Sequence, residues 1–320
     1  MAAIDCGTNS IRLLVADGGP TGLRDVHREM RVVRLGEGVD QTGRLAPAAI
    51  ERTRLALADY AESIASLGAT RVRMVATSAS RDAANADEFR AVVEKALGVE
   101  PEVITGLAEA ELSFVGAVAG LPGVADPLLL ADIGGGSTEL VLGTTSATSL
   151  VPPSMLTQPV GGPKVIAAHS MDVGCVRMTE RHLHDDPPTQ AQIQGALADL
   201  RHALSMATAD VPVQQAAAFV GVAGTVTTVA ALALDLPAYD PEAIHGSVID
   251  YLQVSEVTER LLAMRRAERA ALPVMHPGRV DIIGGGALVL RTVMEVVGAR
   301  EVIASEHDIL DGIALSLLTG

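Results

Sequence analysis

The segment Asp132-Ile-Gly-Gly-Gly-Ser-Thr-Glu139 joins two apolar runs, Leu128–Leu130 and Leu140–Leu142. A glycine turn exposes successive backbone N–H groups and so forms a concavity for anions, to which hydroxyls add donors. Gly134, Gly135, Gly136, Ser137 and Thr138 are therefore read as phosphate binders. A carboxylate beside a phosphate repels it unless a cation lies between. Asp132 and Glu139 are accordingly read as ligands of a divalent metal, directly or through water.

A shorter copy lies at the N-terminus. Asp5, Gly7, Ser10, Leu13 and Val15 match Asp132, Gly134, Ser137, Leu140 and Leu142 at one constant offset. Each copy reads as strand, tight turn, strand, with a polar tip. Thr8, Asn9 and Ser10 supply the second half of a phosphate clamp, and Asp5 a third acid for the metal. Two copies at the starts of two chain segments imply duplicated domains facing a common cleft.

Other residues are weaker candidates. Arg81 follows Ser78 and Ser80 in what reads as a loop after a strand, and its guanidinium fork suits a phosphate. Gly224 and Thr225 open a helix, whose N-terminus could bind another phosphate. Arg260, Arg265, Arg266 and Arg269 read as a solvated basic helix face, and His307 and Asp308 as structural. No G-x-x-x-x-G-K-[ST] segment exists, which excludes a P-loop protein. No serine sits in a context that would support a hydrolytic triad. Cys6 and Cys175, the only cysteines, give neither a disulfide framework nor zinc spacing and read as small buried residues.

Positioning these turns takes an α/β framework. The 320 residues, 48% apolar, suffice for two domains. The pattern predicts a helix from Pro47 to about Ser66 with Ile50, Leu55, Leu57 and Ile64 on its apolar side. It predicts strands at Val72–Thr77 and Pro101–Thr105, and a helix after Asn85 stopped by Gly98. Further helices are expected at Glu109–Val118, Thr189–Ala207, Val226–Leu234 and Ser255–Leu272. The composition break at Ala119–Pro127 divides the chain into residues 1–121 and 122–307, with a final helix of about 308–320 packing back on the first part. A net charge of −15 argues against nonspecific nucleic-acid binding, and 2% aromatics against base stacking. No apolar run is long enough to span a membrane. An N-terminus carrying Asp5 does not read as a signal peptide, so a cytoplasmic protein is expected.

Taken together, "IDCGTNSIRLLV" and "DIGGGSTELVLG" resemble the two phosphate motifs of the actin-like (RNase H-like) ATPase superfamily. More closely, the sequence resembles the exopolyphosphatase / guanosine pentaphosphate phosphohydrolase (Ppx/GppA) family. Further matching stretches are "VATSASRDAANADEF", "ITGLAEAELSFVGA", "SMDVGCVRMTE", "GVAGTVTTVAAL", "HPGRVDIIGGGALVL" and "SEHDILDGIAL", in the family's order. The resemblance implies two actin-like domains around a cleft and Mg²⁺-dependent release of a terminal phosphate from polyphosphate, with Mn²⁺ as a substitute metal. It implies that Glu109 is the catalytic general base, at the second acid of a G-x-E-E-A stretch. The first acid is Ala108 here, and Glu111 replaces a commonly basic residue. It also implies that Arg81 contacts phosphate. At the helix start, Glu109 is expected to have a lowered pKa. The chain matches a short family form without a C-terminal helical module, which favours short polyphosphates; a homodimer is a further expectation. Hydrolysis of guanosine pentaphosphate is the enzymatic alternative. A polyphosphate or nucleotide sensor without turnover is the non-enzymatic one. An ATP-driven machine or sugar kinase fits the Glu109 stretch less well.

Overall fold

The computed structural model describes residues 1–19, 22–145 and 162–319. The chain begins with β1 (Ala2–Cys6), β2 (Ser10–Gly19), β3 (Gly22–Val32), the short α1 (Val39–Thr42), α2 (Pro47–Ser66), β4 (Val72–Ala76), α3 (Ser78–Asp82), α4 (Ala86–Leu97), β5 (Glu102–Val103) and α5 (Gly106–Gly120). The second part comprises β6 (Leu128–Ile133), β7 (Thr138–Thr144), β8 (Lys164–Met171), α6 (Cys175–His182), α7 (Gln190–Asp210), β9 (Ala218–Val222), α8 (Ala223–Ala233), α9 (Pro241–Ile244), β10 (Val248–Asp250), α10 (Tyr251–Ala263), α11 (Arg266–Ala270), α12 (Ile283–Val297), β11 (Glu301–Ala304) and α13 (Ile309–Thr319). Among the described residues no helix is long and apolar enough to cross a membrane.

The two sheets repeat one plan. The first has the order β3-β2-β1-β4-β5, and the second β8-β7-β6-β9-β11, extended by β10. In each, an antiparallel hairpin comes first and parallel strands follow. The central strands β1 and β6 are buried along their whole length, which is why they read as apolar runs interrupted only by Asp5 and Asp132. Both hairpin turns close alike: Gly7 N–H donates to Ser10 O at 3.0 Å, and Gly134 N–H to Ser137 O at 3.0 Å.

Helix α2 starts where Pro47 sits at N1, the position a proline tolerates. Ile50, Leu57, Tyr60 and Ile64 face the core, but Leu55 is exposed, so it does not belong to the apolar side predicted for it. Gly98 ends α4 in the left-handed conformation at φ 69°. Asn85 precedes α4 without capping it: its amide instead brackets Leu45, accepting from the N–H and donating to the carbonyl. The single helix expected over 255–272 is broken into α10 and α11. Arg269 is buried rather than solvated, donating to the carbonyls of Met264 and Val280 and pairing with Asp186.

The last helix of each half crosses to the other. Ala110, Phe114 and Ala117 of α5 pack on Leu128, Leu130 and Val141 of the second sheet. Ile309, Leu310, Ile313 and Ala314 of α13 pack on Ala3, Leu14 and Val75 of the first. Where α5 and α13 cross, a Cβ on Gly116 would lie 1.8 Å from Asp308 O, and one on Gly312 2.0 Å from Leu112 O. Backbone meets backbone there, so neither neighbour can yield. Gly116→Ala and Gly312→Ala are each expected to destabilise by about 1–3 kcal/mol or more, as overpacking does. Calorimetric melting checks this; an unchanged transition in both variants would contradict the close crossing.

Candidate active site

The two hairpin tips meet. A Cβ on Gly135 would lie 2.8 Å from Thr8 Cβ, and one on Gly136 2.6 Å from Ser78 Oγ and 2.7 Å from Thr8 Oγ1. None of Gly134, Gly135 and Gly136 has a positive φ. Gly135 and Gly136 are therefore glycine because the opposing turn leaves no room for side chains, whereas a Cβ on Gly134 would meet only Ser137 O of its own hairpin, at 3.1 Å. Thr8 Oγ1 and Ser78 Oγ bond each other at 2.8 Å on that opposing face.

Helix α6 fixes the direction of the glycine turn. Cys175 N–H donates to Gly134 O at 3.0 Å, Val176 N–H to Gly135 O at 2.9 Å, and Arg177 Nε to Gly136 O at 2.7 Å. In a trans peptide the N–H points opposite to the C=O. With three successive carbonyls held, the N–H groups of Gly135, Gly136 and Ser137 point away from α6, and none makes a backbone hydrogen bond. Gly174 must be glycine for this contact, since its Cβ would lie 2.5 Å from Gly135 O.

Beside the turns is a cavity of about 100 Å³. It is lined by Asp5, Thr8, Asn9, Ser10, Glu109, Asp132, Gly134, Gly135, Ser137, Gly224 and Thr225, among others. Eleven of the residues singled out from the sequence thus converge. Four do not line it. Gly136 faces Thr8 and Ser78. The Thr138 hydroxyl is spent on Val173 O at 2.6 Å. Glu139 lies behind the cavity, fully buried, accepting from Ser170 Oγ at 2.7 Å. Arg81 lies in the short helix α3, not a loop, and bonds Ile104 O at 3.0 Å and Glu109 Oε2 at 3.2 Å.

The acids are unusual in their burial. In the first hairpin Asp5 lies opposite Arg12, which pairs with it at 2.7 Å. At the same positions of the second hairpin, Asp132 lies opposite Glu139. Like charges directly opposite destabilise a sheet. Asp132 accepts from Ser113 Oγ, one helical turn beyond Glu109 on α5. Burial, then the Asp132 charge, pushes Glu109 up to about 8. This reverses the lowering expected from the helix start: desolvation outweighs the dipole. Burial, then Asp308, raises Asp132 to about 7. Burial, then Glu109 and Asp132, holds Glu139 well above the usual carboxylate range.

Two arginines escaped the sequence reading. Arg12 joins Asp5 to Asp308, and so ties β2 to the segment before α13. Arg279 lies against Gly224, where a Cβ would meet its guanidinium at 2.3 Å, and donates to Thr228 Oγ1 at 2.8 Å. It makes no ion pair among the described residues. Arg12 could have been found by its place in the repeat, opposite Asp5; Arg279 has no such signal. Both also line a second cavity of about 500 Å³ that continues the first, with Arg28, Glu29, Tyr239, His276, Glu306 and Asp308.

Two sheets of one strand order, with hydrogen-bonding turns meeting over buried carboxylates, define an actin-like phosphohydrolase architecture. The model of the Ppx/GppA phosphatase family matches residues 14–319, and the chain belongs to that family. It is 51% identical to exopolyphosphatase 2 of Mycobacterium tuberculosis over 330 aligned positions, covering 99% of this chain and 98% of the relative. A crystal structure of an exopolyphosphatase-like protein superposes with a TM-score of 0.88 at 43% identity, covering 99% of this chain and 98% of that one. The Ppx/GppA family member of Aquifex aeolicus gives 0.79 at 30% identity, covering 99% and 97%.

The acids suit a divalent cation. Asp5 Oδ1 and Glu139 Oε2 are buried without a hydrogen-bond partner, and a buried carboxylate oxygen left so is costly. The described residues contain no ready cluster of three metal-binding side chains. A divalent cation here would need substrate phosphates and water besides one or two of these carboxylates, as Mg²⁺ typically does. The pH dependence follows with a definite sign. An acid whose folded pKa exceeds its unfolded value, about 4, holds extra protons in the folded state. Stability of the metal-free protein should therefore fall as pH rises from about 4 through about 8, where Glu109 titrates. Thermal melting across that range, with and without Mg²⁺, checks this: the metal should restore the loss at high pH. Glu139→Gln should raise the metal-free melting temperature at pH 8 and reduce the gain from Mg²⁺.

Proposed function

We propose that this protein is an exopolyphosphatase, releasing terminal orthophosphate from short inorganic polyphosphates. The mycobacterial relative is named an exopolyphosphatase. The observation that carries the reading is Glu109, a carboxyl inside the small cavity where both phosphate turns meet. The terminal phosphoryl group lies against the N–H groups of the Gly135–Ser137 turn and the Thr8–Ser10 turn, which stabilise its oxygens as charge builds. Glu109 orients a water and takes its proton as the new P–O bond forms; the shortened chain leaves as the anhydride bond breaks. Arg81 holds the Glu109 carboxylate at 3.2 Å and keeps its lone pairs aimed. Asp132, with Asp5 beside it on the cavity wall and Glu139 behind, would hold Mg²⁺, which when bound would supply charge neutralisation for the phosphates. Phosphoryl transfer to water needs little beyond such positioning and charge.

The second cavity supports short chains. Its cations Arg12, Arg28 and Arg279 face the acids Glu29, Glu306 and Asp308, and burial lowers the His276 pKa and keeps it neutral. Distal phosphates therefore meet a balanced surface rather than a basic track, and the whole chain carries −15. Phosphate release from triphosphate, long polyphosphate, guanosine pentaphosphate and ATP, measured side by side, tests the reading. The highest kcat/KM is expected on the short oligophosphate. On gels, long chains should shorten step by step; full-length chains vanishing without intermediates would contradict distributive cleavage. Glu109→Gln should lower turnover by roughly 10²–10⁴ while binding persists. Near wild-type turnover in that variant would remove Glu109 from the chemistry.

A further inference from the structure

Arg177, the third residue of α6, bonds three groups at once and has a fourth, the Asp172 carboxylate of its own half, 4.0 Å away. Its Nε donates to Gly136 O at 2.7 Å, Nη1 to Asp40 at 2.8 Å, and Nη2 to Asp82. Its side chain is 12% exposed. Gly136 belongs to the phosphate turn of the second half. Asp40 and Asp82 belong to the first half, on α1 and α3, and Asp82 follows Arg81, the partner of Glu109. One guanidinium thus spans the glycine turn and the helix that carries the partner of the general base.

We infer that Arg177 is a positioning residue that holds the third peptide of the phosphate cradle in place only while the first half supplies Asp40 and Asp82. The reasoning begins with the peptide planes. The carbonyls of Gly134 and Gly135 are held by backbone N–H groups of α6, which side-chain truncation does not remove. The Gly136 carbonyl alone is held by a side chain. It determines where the Ser137 N–H points, and Ser137 lines the cavity. A glycine peptide without that tether is free to rotate, because no side chain restricts it.

The guanidinium in turn needs its acids. Arg181, one turn further along α6, donates to Asp40 from Nε at 2.6 Å and from Nη2 at 2.8 Å, and it also pairs with Asp199. Glu180 accepts from Gly38 N–H at 3.2 Å. These contacts seat α6 on the first half, and Arg177 relays that seating to the phosphate turn. When the halves part, Asp40 and Asp82 withdraw, and the guanidinium loses the two carboxylates it hydrogen-bonds, keeping only Asp172 of its own half at 4.0 Å. The cradle is then complete only in the closed state, where Glu109 also faces it.

This inference rests on the hydrolase reading, and the test separates the two. Arg177→Gln and Asp82→Asn are compared with wild type for triphosphate hydrolysis with Mg²⁺. For Arg177→Gln the expected loss in kcat is about 10- to 100-fold, the scale of a small misplacement of reacting groups, with unchanged position of the pH profile. Asp82→Asn should lose several-fold, and the double variant no more than Arg177→Gln alone, since both remove one arrangement. Guanidinium at sub-denaturing concentration should restore Arg177→Ala in part, and methylammonium should not. Additive losses, wild-type kcat in Asp82→Asn, or a loss that only tracks the folded fraction seen by circular dichroism would overturn the role. Should Arg177→Gln fail to fold, Asp82→Asn, at a half-exposed surface carboxylate, decides alone. Calorimetric titration with inorganic triphosphate guards the other side: wild type that binds it without releasing phosphate sinks the hydrolase reading, while weaker binding by Asp82→Asn still upholds the tether.

Discussion

The structure is built around a burial that is unfavourable by itself. Asp132 and Glu139 face each other across one hairpin, with Glu109 and Asp5 nearby, and burial penalises every charge among them. A sheet tolerates such a pair only when protons or a cation offset it. The cluster therefore stores a demand for positive charge at the point where the two halves meet. Arg12 on Asp5 and Arg81 on Glu109 meet part of that demand, and Asp132 and Glu139 have no such partner among the described residues.

The duplicated hairpins divide this task unequally. The first is self-neutralised, because Arg12 answers Asp5; the second is not, because Glu139 stands where Arg12 would. The first hairpin thereby presents hydroxyls and backbone donors without excess charge, and the second presents its backbone donors beside unneutralised acids. The crossing of α5 and α13 makes the asymmetry useful. Helix α5 starts beside Arg81 of the first half and packs on the second sheet, so Glu109 and Ser113 are set by both halves together. The glycines at the crossing let backbone approach backbone, and Gly135 and Gly136 at the hairpin tip let backbone approach the Thr8 and Ser78 side chains.

Much of this could be read along the chain. The hairpins were legible because apolar residues flank an acid-glycine-serine spacing repeated at one offset, and strand periodicity admits few other readings. Helix α2 was legible from Pro47, and α4 from Gly98. The readings that failed did so where tertiary burial overrode a local rule. Leu55 follows the apolar rhythm and is exposed. Arg269 follows a charged stretch and is buried against carbonyls. Thr138 sits in the phosphate motif, but its hydroxyl is used by Val173.

The sequence by itself determined the α/β class, the two turns, and the set of acids and donors they carry, because these depend on residue type and short spacing. It did not determine how those groups behave. The helix start predicts a lowered pKa for Glu109; the enclosed acid cluster raises it, since desolvation and like charge act only once the halves are assembled. Arg177 and Arg279 look like any other arginines until the fold brings Gly136 and Gly224 to them. Those contacts span long stretches of chain, and only the tertiary structure brings their partners within a hydrogen bond's length.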